Sequence, residues 1–216
     1  MNKTPLVIVT TVAILAIAGG GFAYNQRQDT PPKTAASMPS TASHDAASLK
    51  LLTAQTGEAF DAMFITMMSE HHAGAIAMAQ VVDAEAVHSE VRDLAGQIIS
   101  AQNKELADMK AWAAEWNYTY YEPSGRAVSS MSAGMNGKSG EALDKQFLTD
   151  MVSHHNSALD MAMLSAGRAK HTEIKTLSAN ILSSQTNEIT HMKQLASQFN
   201  YAMPSNASDG HSTMMH

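Results

Sequence analysis

The stretch Phe-Ile-Thr-Met-Met-Ser-Glu-His-His-Ala-Gly-Ala-Ile-Ala-Met-Ala, residues 64–79, sets two adjacent histidines among methionines at helical spacing. It returns as Phe-Leu-Thr-Asp-Met-Val-Ser-His-His-Asn-Ser-Ala-Leu-Asp-Met-Ala, residues 147–162. His71 recurs as His154 and Met78 as Met161, always 83 residues on. Working outward, the match begins at Thr56 and Ser139 and runs without a gap to Tyr118 and Tyr201. It pairs Asp61 with Asp144, His88 with His171, Gln102 with Gln185, Glu105 with Glu188 and Met109 with Met192. A self-match of this length without a gap indicates duplication of one supersecondary unit.

Each copy reads as a helical hairpin. The predicted helices span 57–83 and 88–116 in the first copy, and 140–167 and 171–199 in the second. Thr56 and Ser139 suit N-cap positions, and Glu58 and Glu141 suit the positive end of a helix dipole. Neither hairpin can bury its apolar stripe alone, so the fold class is all-α, a four-helix bundle built from two duplicated hairpins.

With successive residues about 100° apart, Phe64, Met68, His71, Ala75, Met78 and Val82 share one line on the first helix. Val91, Ile98, Gln102, Glu105, Met109 and Trp116 share one on the second. These core-facing seams carry polar groups at their middle. A turn centred near residue 86 would set His71 beside Gln102 and Met68 beside Glu105, with Met109 close by; His154, Gln185, Met151, Glu188 and Met192 repeat the set. His72 and His155 fall on the seam's edge, toward a neighbouring helix or the other hairpin.

Buried polar groups without partners cost about 1–3 kcal/mol each. Two arrangements satisfy them. In one, Glu105 and His71 hydrogen-bond within the core and methionine fills space. In the other, imidazole and thioether bind a metal while Glu or Gln orients the ligating histidine from behind. Met63 and Met67 extend the stripe toward His71. Met131 and Met135 lie in the connection between hairpins, and Met38, His44 and Met203 in the flanks, where no core is expected. The C-terminal His211-Ser-Thr-Met214-Met215-His216 resembles a soft-metal scavenging tail.

The chain has 216 residues, sixteen of them methionine and ten histidine, no cysteine, and a net charge of −6 with pI ≈ 5.9. The acidic balance argues against nucleic-acid binding. Without cysteine there is no disulfide, thiolate zinc site or iron–sulfur cluster. Thioether with imidazole suits Cu(I), and Ag(I) as its analogue, with Cu(II) as an alternative at the histidine-rich spots. Methionine needs no deprotonation and survives in an oxidising compartment. The expectation is a two- or three-coordinate Met/His site per hairpin, with weaker sites at His211, Met214, Met215 and His216.

Residues 1–23 read as a secretory signal: Lys3, a short apolar run, then glycines and a small-residue cut after Ala23. Left uncleaved, the same run of about 20 residues would just span a bilayer, the one way the chain would contact a membrane. Either form places the rest outside the cytoplasm, periplasmic or secreted. Residues 24–55 form a linker with a short helix capped by Asp45, 56–118 the first hairpin, 119–138 a connecting loop, 139–201 the second hairpin, and 202–216 the tail.

The pattern Asp61-x-x-Phe64…Met68-x-x-His71-His72-x-x-Ala75-x-x-Met78-Ala79, then Gln102-x-x-Glu105-x-x-x-Met109, resembles the domain-of-unknown-function 305 family. Both copies carry it. The resemblance implies a ferritin-like four-helix bundle, export, and a role in copper binding and resistance. Motif matching carries over Met68, His71, His72, Met78 and Met109, with Met151, His154, His155, Met161 and Met192. Met63 and Met67 are replaced by Gln146 and Asp150 in the second copy, so that site is expected to be differently built.

The chain therefore reads as a non-enzymatic copper binder that sequesters the ion or relays it to an efflux or relay protein. One alternative is a ferritin-like di-iron oxidase using Glu85-x-x-His88 and Glu188-x-x-His191, although neither pair is kept in the other copy. The other is a helical stress or interaction protein with a methionine-rich core and no metal.

Overall fold

The computed structural model describes residues 46–203. The predicted signal, the linker through Asp45 with Met38 and His44, and the tail from Pro204 with His211, Met214, Met215 and His216 lie outside the described residues. The helices are α1 (Ala46–Thr53), α2 (Gly57–Glu85), α3 (Ser89–Glu115), α4 (Gly125–Ser132), α5 (Gly140–Met163) and α6 (Thr172–Gln198). Among the described residues there is no strand. No described helix is long and apolar enough to cross a membrane.

Helix α2 packs on α3, α5 packs on α6, and the two hairpins meet through α2 and α5, with a lighter α3–α6 contact. Helices α2 and α5 run antiparallel. The Gly57 amide at the start of α2 donates to the Arg168 carbonyl just beyond α5 at 2.7 Å, while His71 meets His154 at mid-length. The connection between hairpins is more ordered than a loop. It holds α4 and a single 3-10 turn, Ala133–Met135. The chain there is too short for helical periodicity to register, and it is held from outside. Met131 lies against α2, and Met135 is buried in the core with Met78, Met151 and Met192. Met203 likewise packs against that core and accepts from Thr149 Oγ. These methionines sit in segments expected to lack a core, and the core reaches them.

Thr56 and Ser139 occupy the N-cap positions without a side-chain capping bond, and Glu58 and Glu141 stand in the first turns. Each helix opens instead through a glycine in the left-handed region, Gly57 (φ +62) and Gly140 (φ +58). A side chain there meets no neighbour but adopts a conformation costing roughly 1–2 kcal/mol. Gly57→Ala and Gly140→Ala are therefore expected to lower unfolding free energy by about that amount each, measured by urea denaturation.

At the far ends both hairpins close with the same motif. Asn117 (φ 58) and Asn200 (φ 57) take the left-handed position. The Tyr118 amide donates to Ala113 O at 2.8 Å, and the Tyr201 amide to Ala196 O at 2.7 Å. This is a Schellman closure, with asparagine in the usual place of glycine. It turns each hairpin's aromatic end onto a histidine of the other. Trp116 stacks on His171 at 3.7 Å between ring centroids, and Phe199 on His88 at 3.7 Å.

The same histidines are held by buried carboxylates from the opposite hairpin. Asp61 on α2 accepts from the Lys170 and His171 amides at 3.1 and 3.0 Å and from His171 Nδ1 at 2.7 Å. Asp144 on α5 accepts from the Val87 and His88 amides at 3.2 and 3.0 Å and from His88 Nδ1 at 2.8 Å. Each carboxylate thus satisfies donors at the N-terminus of the other hairpin's second helix. Tyr118 and Tyr201, beside these carboxylates, have phenol pKa values raised, first by burial and then by the nearby Asp61 or Asp144 charge.

Candidate metal centre

The hairpin register differs from the one expected from a turn near residue 86. Helix α2 continues to Glu85 and α3 begins only at Ser89, so the turn lies later. Glu105 falls level with His72, not with Met68, and Met109 falls level with Met68. His71 consequently leaves α3 and faces α5. The polar pairs predicted between His71 and Gln102, and between Met68 and Glu105, are replaced by His72–Glu105 and, in the second copy, His155–Glu188.

These two pairs are the chemical centre of each hairpin. His72 Nε2 and Glu105 Oε2 are 2.6 Å apart, as are His155 Nε2 and Glu188 Oε2. Both imidazoles are fully buried, while the carboxylates are 18% and 22% exposed. A carboxylate only accepts, so Nε2 carries a proton, and in the neutral imidazole the lone pair then lies on Nδ1. Nδ1 of His72 and of His155 is buried and meets no hydrogen-bond partner among the described residues. Both side-chain amide atoms of Gln102, and Oε1 of Gln185, are in the same condition. Buried polar atoms are nearly always satisfied, by protein groups, ordered water or a bound ion, and the two Nδ1 atoms recur at equivalent places in both copies. A carboxylate behind the imidazole is the arrangement that fixes the tautomer of a ligating histidine.

Methionines stand one helical turn from each member of these pairs. Met68 lies one turn before His72, and Met109 one turn beyond Glu105; both are fully buried. Met151 and Met192 repeat this around His155, also fully buried. Ser69 Oγ lies 3.8 Å from the Met109 sulfur. The remaining candidates change sides. Because α2 and α5 are antiparallel, Met161 joins Met68, Met109 and Met67 in one core cluster, with Met63 partly buried against it. Met78 joins Met151 and Met192 in the other. Each thioether group therefore draws one methionine from the opposite hairpin, which a reading of each repeat alone does not reveal. The second copy has no counterpart to Met63 and Met67; there Gln146 Nε2 donates to Asp150 Oδ1 at 2.8 Å.

His71 and His154 form the contact between hairpins. Their ring centroids are 3.6 Å apart, and His71 Nε2 lies 3.0 Å from the His154 carbonyl and 2.7 Å from Ser157 Oγ. The Glu85/His88 and Glu188/His191 pairs are not assembled into one site. Glu85 and His191 are exposed, His88 is held by Asp144, and Glu188 by His155. Among the described residues no three His, Asp or Glu side chains converge as a metal cluster. The donors that do gather are one imidazole and several thioethers per hairpin, neutral and soft, which fits a monovalent soft ion better than a hard divalent one.

A curated relative, uncharacterized protein L153 of Acanthamoeba polyphaga mimivirus, is 40% identical over 52 residues. The match covers 24% of this chain and about a third (34%) of that relative's length. Among solved structures, CopM in its Cu(I)-bound form is 31% identical, with a TM-score of 0.55, covering 64% of this chain and 96% of CopM. CopM has also been solved with Ag and with Cu(II) bound. A DUF305 protein from Streptomyces coelicolor, described as a candidate secreted protein, is 26% identical with a TM-score of 0.58, covering 67% of this chain and 96% of that one. The family profile of the domain of unknown function DUF305 matches residues 14–113 and 144–216, and the chain belongs to that family.

Proposed function

We propose that this protein is an exported, non-enzymatic binder of Cu(I), and of Ag(I) as its analogue, serving copper sequestration, resistance or relay. The observation that carries this reading is the buried His72–Glu105 pair and its copy His155–Glu188. In each, the buried Nδ1 meets no hydrogen-bond partner among the described residues, and buried methionines stand one helical turn away along the same helices. The likeness to CopM supports the choice of metal. His72 with Met68 and Met109, and His155 with Met151 and Met192, would hold the ion. Copper here is cargo, and the residues' work is to bind it in a neutral, dry setting that favours the monovalent state. The nearly unbroken apolar run from Pro5 to Ala18 and the absence of cysteine support export to an oxidising compartment.

The test is an anaerobic Cu(I) titration against a chromophoric chelator, run on the full chain and on a chain ending at Pro204. Binding retained without the tail supports a site in the bundle; binding lost with it would move the function to the tail. Glu105→Gln leaves every direct donor in place but weakens the support of His72. It is expected to lower Cu(I) affinity roughly 10–100-fold at that site. An unchanged affinity would favour a metal-free, methionine-packed core.

A further inference from the structure

Helix α4 crosses α2 with Met131 lying in a notch that only glycine leaves open. A Cβ on Gly74 would sit 1.8 Å from the Met131 sulfur and 3.2 Å from its Cγ and Cε. The thioether therefore takes the place of a side chain on α2. The repeat shows what that place faces. Ser157 is the equivalent position on α5, one turn after His154 as Gly74 is one turn after His71, and its hydroxyl lies 2.7 Å from His71 Nε2. The antiparallel crossing of α2 and α5 at the His71–His154 stack makes the position of Gly74 face His154 as that of Ser157 faces His71. By this symmetry the Met131 thioether takes the place on α2 that the Ser157 hydroxyl takes on α5.

We propose that Met131, His71 and His154 form a further soft-metal position, for Cu(I) or Ag(I), at the junction of the two hairpins. It is separate from the positions at His72 and His155, and it rests on the copper reading above. The carbonyl of His154 only accepts, so His71 carries a proton on Nε2, and in the neutral ring Nδ1 is the nitrogen able to bind a metal. Two imidazoles with ring centroids 3.6 Å apart and one thioether make a neutral nitrogen–sulfur donor set. The third donor comes from the connection, which the chain has only once. The position therefore has no duplicate, and it ties the crossover segment to the hairpin junction.

The full-length chain, carrying methionine labelled with carbon-13 at the methyl, is titrated anaerobically with Ag(I) and followed by NMR. Met131→Leu assigns the Met131 resonance. The expected result is a shift of that methyl with its own titration midpoint, and one metal equivalent fewer in Met131→Leu. Gly74→Ala keeps all three donors but displaces the thioether, and is expected to lose the same equivalent. A Met131 methyl that stays put, with full stoichiometry in both variants while the Met68 and Met109 methyls shift, overturns this position and leaves the copper reading standing. If no buried methionine shifts, the copper reading falls with it.

Discussion

Asp61→Ala is expected to destabilise the folded chain by about 3–5 kcal/mol, the scale of removing one partner from a buried, hydrogen-bonded ionic contact. Asp144→Ala should do the same. Each carboxylate is completely buried and accepts from two backbone amides and one imidazole of the opposite hairpin. Removing it leaves the start of α6 or α3 without the acceptor that satisfies its first amides and its histidine. For a domain of this size the loss corresponds to a fall in Tm of roughly 6–20 °C, readable by calorimetry. Asp61→Asn keeps the shape and one acceptor, and is expected to fall between wild type and alanine. A shift of under about 1 °C in Asp61→Ala, the scale of a surface substitution, would mean that the hairpins hold together by apolar contact alone.

The double substitution His72→Leu with His155→Leu is expected to abolish tight Cu(I) binding by the bundle while leaving stability unchanged or raised. The two halves of that expectation separate a metal site from a polar core. A buried imidazole–carboxylate pair replaced on its buried side by an apolar group of similar volume is often neutral or stabilising. Glu105 and Glu188 keep contact with solvent, at 18% and 22% exposure, and are not stranded by the change. Loss of a direct donor should exceed the roughly 10–100-fold effect of losing an outer support. Chelator competition on a chain ending at Pro204 reads the affinity without the tail ligands, and urea denaturation of the same samples reads the stability. Unaltered Cu(I) affinity in the double variant would remove the two histidines from the site. A large loss of stability would instead assign them to holding the fold.

Each of the two core clusters holds a buried methionine trio once the hairpins are docked, and the neighbours of those trios differ. The first lies against Met67 and Met63, whereas the second replaces them with a hydrogen-bonded Gln146–Asp150 pair. The second position instead gains Met135 and Met203, from the connection and the C-terminal flank, so the two surroundings reach a similar thioether content by different routes.

Much of this protein follows from its sequence alone. The constant offset between His71 and His154, and between Glu105 and Glu188, marks two equivalent hairpins. Periodicity places Met68, Met109, Met151 and Met192 on buried faces, because an amphipathic helix has only one face it can hide. The family follows from the His-His/Met and Gln/Glu/Met motifs. What the sequence left open was every relation that depends on register or on contact between repeats. A later turn moves His72, not His71, onto Glu105, since shifting one helix along another by a turn changes which side chains meet. Antiparallel docking sends Met78 to the second hairpin and Met161 to the first, and gives Asp61 and Asp144 their work on the opposite hairpin. Met131 finds its notch at Gly74 only because α4 folds back over α2. Local patterns encode which face of a helix is buried; which partner lies against that face is decided by the packing of the whole chain.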